Sequence, residues 1–240
     1  MPRYKRPPIT EAVVEVRIAT SIAMATVGRV RDRLKEYYPL EGQLRATNVE
    51  IGETTARVLG EQLQGYRLTA ADGASIVSVT TQSVSTSRLP PYDGWESFIT
   101  DARRNWEIWK RVVGWQKIAR VGVRYLNRLD VPTEAPVSVD DYLTFTIKGP
   151  PLDLPPMHSF AIQEARPLGK DHCQLVLNAG LVPSPLIRTM SLLLDIDVSR
   201  MDELPQNDEG LWAFVDRVRE YKNLIFEACI TDRARELFDR

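Results

Sequence analysis

Ile118-Ala119-Arg120-Val121-Gly122-Val123-Arg124-Tyr125-Leu126-Asn127-Arg128 is the stretch on which the fold turns. Arg120, Gly122, Arg124, Leu126 and Arg128 fall on one parity, and Val121, Val123 and Tyr125 on the other. A period of two predicts a half-buried strand with an arginine row on one side and an apolar row on the other. Ile9–Ile18 has the same form: Ala12, Val14, Val16 and Ile18 share one face, and Glu11, Val13, Glu15 and Arg17 the other. A third strand expected at 187–198 carries Asp195 and Asp197 opposite Leu194 and Ile196. If these strands are neighbours, guanidinium and carboxylate groups meet across the sheet.

Outward from these strands the chain reads as follows. Ser21 is placed to cap a helix bearing Val27, Val30, Leu34 and Tyr38, which Pro39 ends. Strands are expected at 48–59, 62–70 and 74–86, with turns at Gly60 and at Asp72-Gly73. Asp93 stands three residues before Glu96, as in a capping box. Trp95, Phe98, Ala102, Trp106, Trp109 and Val113 trace the buried face of a long helix that Gly114 stops. Their helical spacing favours a core stripe over a stacking platform for bases.

The second half is expected to hold a strand at 116–129 and a short helix near 138–146. A proline-rich loop, Pro150–Pro156, precedes strands at 158–166, 171–179 and 187–198. A helix over 208–229 should bury Leu211, Phe214, Val218, Tyr221, Ile225 and Ala228, and Thr231 should cap a last short helix. The expectation is an α+β fold of two β-α-β-β-β-α units in tandem, 1–114 and 115–240. It includes mainly antiparallel sheet, long helices on one face, and the two units joined in one globule.

Bulk properties narrow the classes. The chain has 240 residues, 43% of them hydrophobic and 26% charged, enough for a sizeable core and unlike a disordered chain. A formal net charge of -1 gives no general attraction to nucleic acid or anionic membrane. Cys173 and Cys229 are not in a CxxC pair and read as reduced, buried thiols. No basic start with an apolar stretch and no membrane-length apolar run occurs, so the expected location is the cytoplasm, with no membrane partner.

Several phrases occur together: Pro8-Ile9-Thr10-Glu11-Ala12-Val13-Val14-Glu15-Val16-Arg17, Gly65-Tyr66-Arg67 with Asp72-Gly73, and Ser87-Arg88-Leu89-Pro90-Pro91-Tyr92 with Trp95-Glu96-Ser97-Phe98. Arg120–Arg128 and Phe226-Glu227-Ala228-Cys229-Ile230-Thr231 follow. In this order they resemble, over nearly the whole chain, a sporadically distributed prokaryotic protein family of unknown function. The resemblance supplies no catalytic residues. It implies accessory cargo, such as a mobile-element or defence setting, in place of core metabolism.

The candidate binding residues are Glu11, Glu15, Arg120, Arg124, Arg128, Asp195 and Asp197. They are read either as an ion-pair network fixing strand register or as the lining of a groove in which Arg120 and Arg124 clamp a phosphate or carboxylate. Residues 100–128 also hold eight Lys/Arg against two Asp/Glu. Arg103, Arg104, Lys110, Arg111 and Lys117 form a candidate basic patch, read as a solvated helix face or a nucleic-acid surface. His172 and Cys173 are adjacent, so in a strand they point to opposite sides; with His158 they make no metal set. Asp140-Asp141 and Asp202-Glu203 read as helix-start and turn charges. No serine elbow or glycine-rich phosphate loop is present, so no cofactor and no catalytic residue is expected. The leading expectation is a non-catalytic binding component with a protein partner, a homo-oligomer being allowed. The alternatives are a nucleic-acid binder at 100–128 and an anionic-ligand binder or enzyme lined by Arg and Glu.

Overall fold

The computed structural model describes residues 4–51, 56–134, 137–147, 152 and 159–239. Its strands are β1 (Ile9–Ile18), β2 (Leu40–Ile51), β3 (Ala56–Thr69), β4 (Ser75–Thr80), β5 (Ser83–Arg88), β6 (Ile118–Pro132), β7 (Ala161–Leu168), β8 (Cys173–Val182) and β9 (Thr189–Arg200). Its α-helices are α1 (Met24–Leu34), α2 (Trp95–Val113), α3 (Asp208–Cys229) and α4 (Asp232–Asp239). The strands form a nine-stranded, mainly antiparallel sheet in the order β2-β3-β4-β5-β1-β6-β9-β8-β7. The fold is α+β. Two compact units divide it: Val13–Val121, and Met1–Ala12 with Gly122–Arg240.

In the 13–121 unit, α1 and α2 lie against each other and against the sheet, α1 on β3 and β4, α2 on β5. Trp106 and Trp109 stack at 5.0 Å inside this core, and Trp95, Phe98 and Ala102 are buried with them, as the stripe predicts. Gly114, at φ 79, ends α2 where expected. The start of each helix is a correction. Ile18 and Ile22 still donate to Gln82 and Thr81 carbonyls, so the chain lies along the sheet through Ile22 and α1 is capped by Ala23, not Ser21. At α2 the cap is Gly94; the carboxylate of Asp93 is taken by Arg88.

The hairpins also differ from the sequence reading. The chain enters β2 directly after Pro39, and the β2–β3 connection at 52–55 lies outside the described residues. Gly60, expected in a turn, lies within β3 opposite Asn48, at a register shift. The single strand expected at 74–86 is two. Thr80 Oγ1 accepts from the amides of Gln82 and Ser83 and closes a tight turn without glycine or proline. Asp72 does make the preceding turn: its carboxylate accepts from the amides of Ala74 and Ser75 at 2.8 and 2.9 Å. Those bonds, the Ser75 amide first, lower its pKa to about 2. Gly65 faces Thr80 of β4, and an added Cβ there would lie 2.1 Å from the Val79 carbonyl oxygen.

In the other unit, the segment expected as a helix near 138–146 holds only a short 3-10 turn, Val139–Asp141. Leu143 then forms a β-bridge with Ile230, which requires extended backbone. The Pro150–Pro156 loop, except Leu152, and His158 lie outside the described residues. Helix α3 packs on β9 and starts at Asn207, whose side chain accepts from the Gly210 amide. It buries the expected Leu211, Phe214 and Val218, with Trp212 and Val215 beside them; past Val218 the buried residues are Lys222, Phe226 and Cys229 in place of the expected Tyr221, Ile225 and Ala228. Both sets keep three-four spacing; past Val218 the buried face falls one residue further along the helix than the apolar residues alone indicate. Thr231 Oγ1 accepts from the Ala234 amide and caps α4 as expected. Tyr4 donates to both oxygens of Glu227, at 2.8 and 2.9 Å, with its ring edge-on to Phe226 and Phe238.

Among the described residues, no helix is long and apolar enough to cross a membrane.

Candidate functional site

Strand β6 alternates from Val123 to its end, while Ile118 and Gly122, on the arginine parity, are buried. Val121, Val123, Tyr125, Asn127, Leu129 and Val131 are buried, while Arg120, Arg124, Leu126, Arg128 and Asp130 keep solvent contact. Asn127 is the polar exception on the buried side, and it is satisfied by donating to the Leu194 carbonyl at 3.0 Å. The arginines therefore project from one side of a single strand, each toward a different neighbour.

Arg120, in the 13–121 unit, donates to Glu15 at 2.7 Å, and Arg17 also contacts Glu15 at 2.9 Å. Arg124, in the other unit, makes a bidentate pair with Asp195 at 2.8 and 2.7 Å. Arg128 pairs with Asp130 two residues along its own strand, and Ser191 donates to the same carboxylate at 2.6 Å. Five of the seven candidates thus fall into three pairs, one of them with Asp130, which was not a candidate. Glu11 and Asp197 add to the field on Arg124 at longer range. The Asp195 hydrogen bonds chiefly, against the cost of burial, raise the pKa of that guanidinium.

The Arg124 pair is part of a longer row. Asn178 on β8 donates to Asp195 at 3.0 Å, and Gln163 on β7 donates to Asn178 at 2.9 Å. Four side chains from four adjacent strands, β6, β9, β8 and β7, are joined across the sheet. Asp195 is only 3% exposed, whereas the Arg124 side chain is 48% exposed. The carboxylate is the buried anchor and the guanidinium the presented end. Asn178 and Gln163 were not among the sequence candidates. Both carry the parity of their strand's outward face, but only the register Gln163↔Asn178↔Asp195 connects them.

On the opposite side of β6, Lys222 of α3 was also missed. It is 6% exposed and sits 3.7 Å from the centre of the Tyr125 ring. Burial, reinforced by Arg219 and opposed by Glu227, lowers its pKa to about 7. The ring face takes part of the role a carboxylate would otherwise have.

The basic patch separates into different environments. Arg104 lies over the Tyr37 ring at 4.3 Å, donates to Tyr38 Oη at 2.9 Å and pairs with Asp101 at 2.9 Å. Lys110 pairs with Glu107 at 2.8 Å. Arg103, Arg111 and Lys117 are exposed.

His172 and Cys173 diverge: the His172 side chain lies outward near Glu203, while Cys173 is buried. Burial raises the Cys173 pKa, and burial pushes that of Cys229 up to about 11, so both remain thiols at neutral pH. Among the described residues, no group of three His, Cys, Asp or Glu could hold a metal ion. Comparison with protein-family models and with curated proteins finds no match.

Proposed function

We propose that this chain is a non-catalytic binding component that engages a protein partner through the polar side of β6, β9, β8 and β7. The observation that carries the reading is the Gln163–Asn178–Asp195–Arg124 row. It fixes four side chains in place before any partner arrives, and an arginine held by a buried acid is a strong anchor type at protein interfaces. The matching of Arg120, Arg124 and Arg128 with acids argues against a free anion clamp, the reading in which these residues bind a small phosphate or carboxylate. Two related units, each with a long helix on one face of its strands, belong to this proposal on one likeness only: β2–β5 are followed by α2 as β7–β9 are followed by α3, whereas the second half has no counterpart of α1. The accessory setting, mobile-element or defence, and membership of the sporadically distributed family belong to the same proposal.

The test is affinity purification of the tagged chain from cells that carry its own neighbouring genes, beside an Arg124→Glu, Gln163→Arg variant. A stoichiometric protein kept by the first and lost by the second, with equal thermal midpoints, is the expected result. Repeated recovery of the chain alone overturns it. Exposure of Arg103, Arg111 and Lys117 supports a second reading, a nucleic-acid surface. Anisotropy titration decides that one, since phosphate contacts weaken steeply with salt.

A further inference from the structure

The two edges of the sheet are unlike. β7 is eight residues long and contains Pro167, which removes a backbone donor from that edge. β2, at the other end, runs for twelve residues without a proline. Its ladder with β3 shifts register twice, and each time the extra residue is on β3, so β2 itself is regular. Leu40–Leu44 is backed by Gly65–Thr69 of β3, which is backed in turn by Ile76–Thr80 of β4. This part of the edge therefore belongs to a full sheet and not to a lone ribbon. Leu40 leaves 58% of its surface to water there. Such an edge is a template for another strand.

We propose that β2 pairs antiparallel with β2 of a second copy, about a two-fold axis through Gln43; this inference stands apart from the protein-partner reading above. In an antiparallel ladder, facing residues direct their backbone groups to the neighbouring strand in the same way, and along one strand that property alternates. A regular strand that pairs with its own copy therefore joins positions of equal parity. Within Leu40–Thr47, a centre at Gln43 is the one that sets opposite charges face to face. Glu41 stands against Arg45 of the second copy, and Arg45 against Glu41, once on each side of the axis. The same register sets the exposed Leu40 against Ala46 and Gln43 against its own copy. Centres at Glu41 or Arg45 oppose like charges. The Arg45 side chain is half exposed, donates to Gln43 at 2.7 Å and meets Glu61 at 3.4 Å, while Glu41 pairs with Lys35 at 2.7 Å and Arg31 at 3.6 Å in its own chain; the pairs across the axis therefore extend existing charge networks. A closed two-fold also uses up the edge, which an open chain of contacts does not.

Sedimentation equilibrium of the full chain over a concentration series tests this. The expected result is a two-chain mass, weakened about tenfold or more by Arg45→Glu. Restoration is expected when Glu41→Arg is added to Arg45→Glu, since the pairs are then exchanged. Far-ultraviolet circular dichroism and the thermal midpoint confirm folding, and Glu41→Arg alone serves as the mirror variant should Arg45→Glu fail to fold. A single-chain mass at every concentration overturns the proposal, as does a two-chain mass indifferent to the single exchange. An extended peptide that occupies the edge without chain pairing overturns it as well.

Discussion

Arg124 and Lys222 are cations on opposite sides of the same strand, and they solve the same problem differently. Arg124 gives up only half its surface and gains two short bonds to Asp195. Lys222 gives up nearly all of its surface and gains the face of Tyr125. The first arrangement strengthens the hold of the guanidinium on its proton. The second makes the charge conditional on pH. Desolvation decides the difference: a buried cation needs a carboxylate at contact distance to stay ionised, and a ring supplies only part of that field.

The comparison is sharpest when each partner is removed in turn. Arg124→Ala leaves the Asp195 carboxylate buried with Asn178 alone, and a loss of about 3 kcal/mol is expected in urea unfolding. Asp195→Ala leaves a guanidinium that can turn to water, so about half that loss is expected. An equal or reversed order breaks the assignment of Asp195 as the buried anchor.

Lys222 comes next. Its pKa is depressed in the folded chain, so the unfolded chain binds more protons above pH 7. Stability must then rise with pH from about 7 toward the unfolded value, and the cost of burial is in full force below pH 7. Between pH 7 and pH 8.5 a gain of about 1–2 kcal/mol is expected. Lys222→Met should flatten that rise and lift the midpoint at pH 7. Above pH 9 the raised thiols of Cys173 and Cys229 act in the opposite sense, so the window is kept below them. A slope unchanged in Lys222→Met means that other groups set it. The smallest effect is Asn178→Ala, about 1 kcal/mol, with the Arg124–Asp195 pair intact.

Much of this was legible where periodicity is long. The 118–128 alternation, the Trp95–Val113 stripe and the Thr231 cap were read from spacing alone. The pairing of Arg124 with Asp195 was only a conditional expectation, because it depends on β9 lying beside β6, and seventy-one positions separate the two residues. Leu40–Thr47 does alternate, Leu40, Gly42, Leu44 and Ala46 against Glu41, Gln43, Arg45 and Thr47, but Gly42 and Ala46 make its apolar row weak, so it was not read as a strand. The turn after Thr80 was missed because a threonine hydroxyl does what glycine usually does. Lys222 went unnoticed because a lysine in an apolar stripe reads as a break in the stripe, whereas here it is a member of it.

Gly65 carries a consequence for how the hairpin strands can move. The space beside the Val79 carbonyl admits a hydrogen and nothing larger. Were β3 to slide along β4 by one or two positions, Gln64, Tyr66, Leu63 or Arg67 would bring a methylene into that gap. Position 65 thus acts as a detent, and a library randomised at its codon should return glycine from any selection for folded chains.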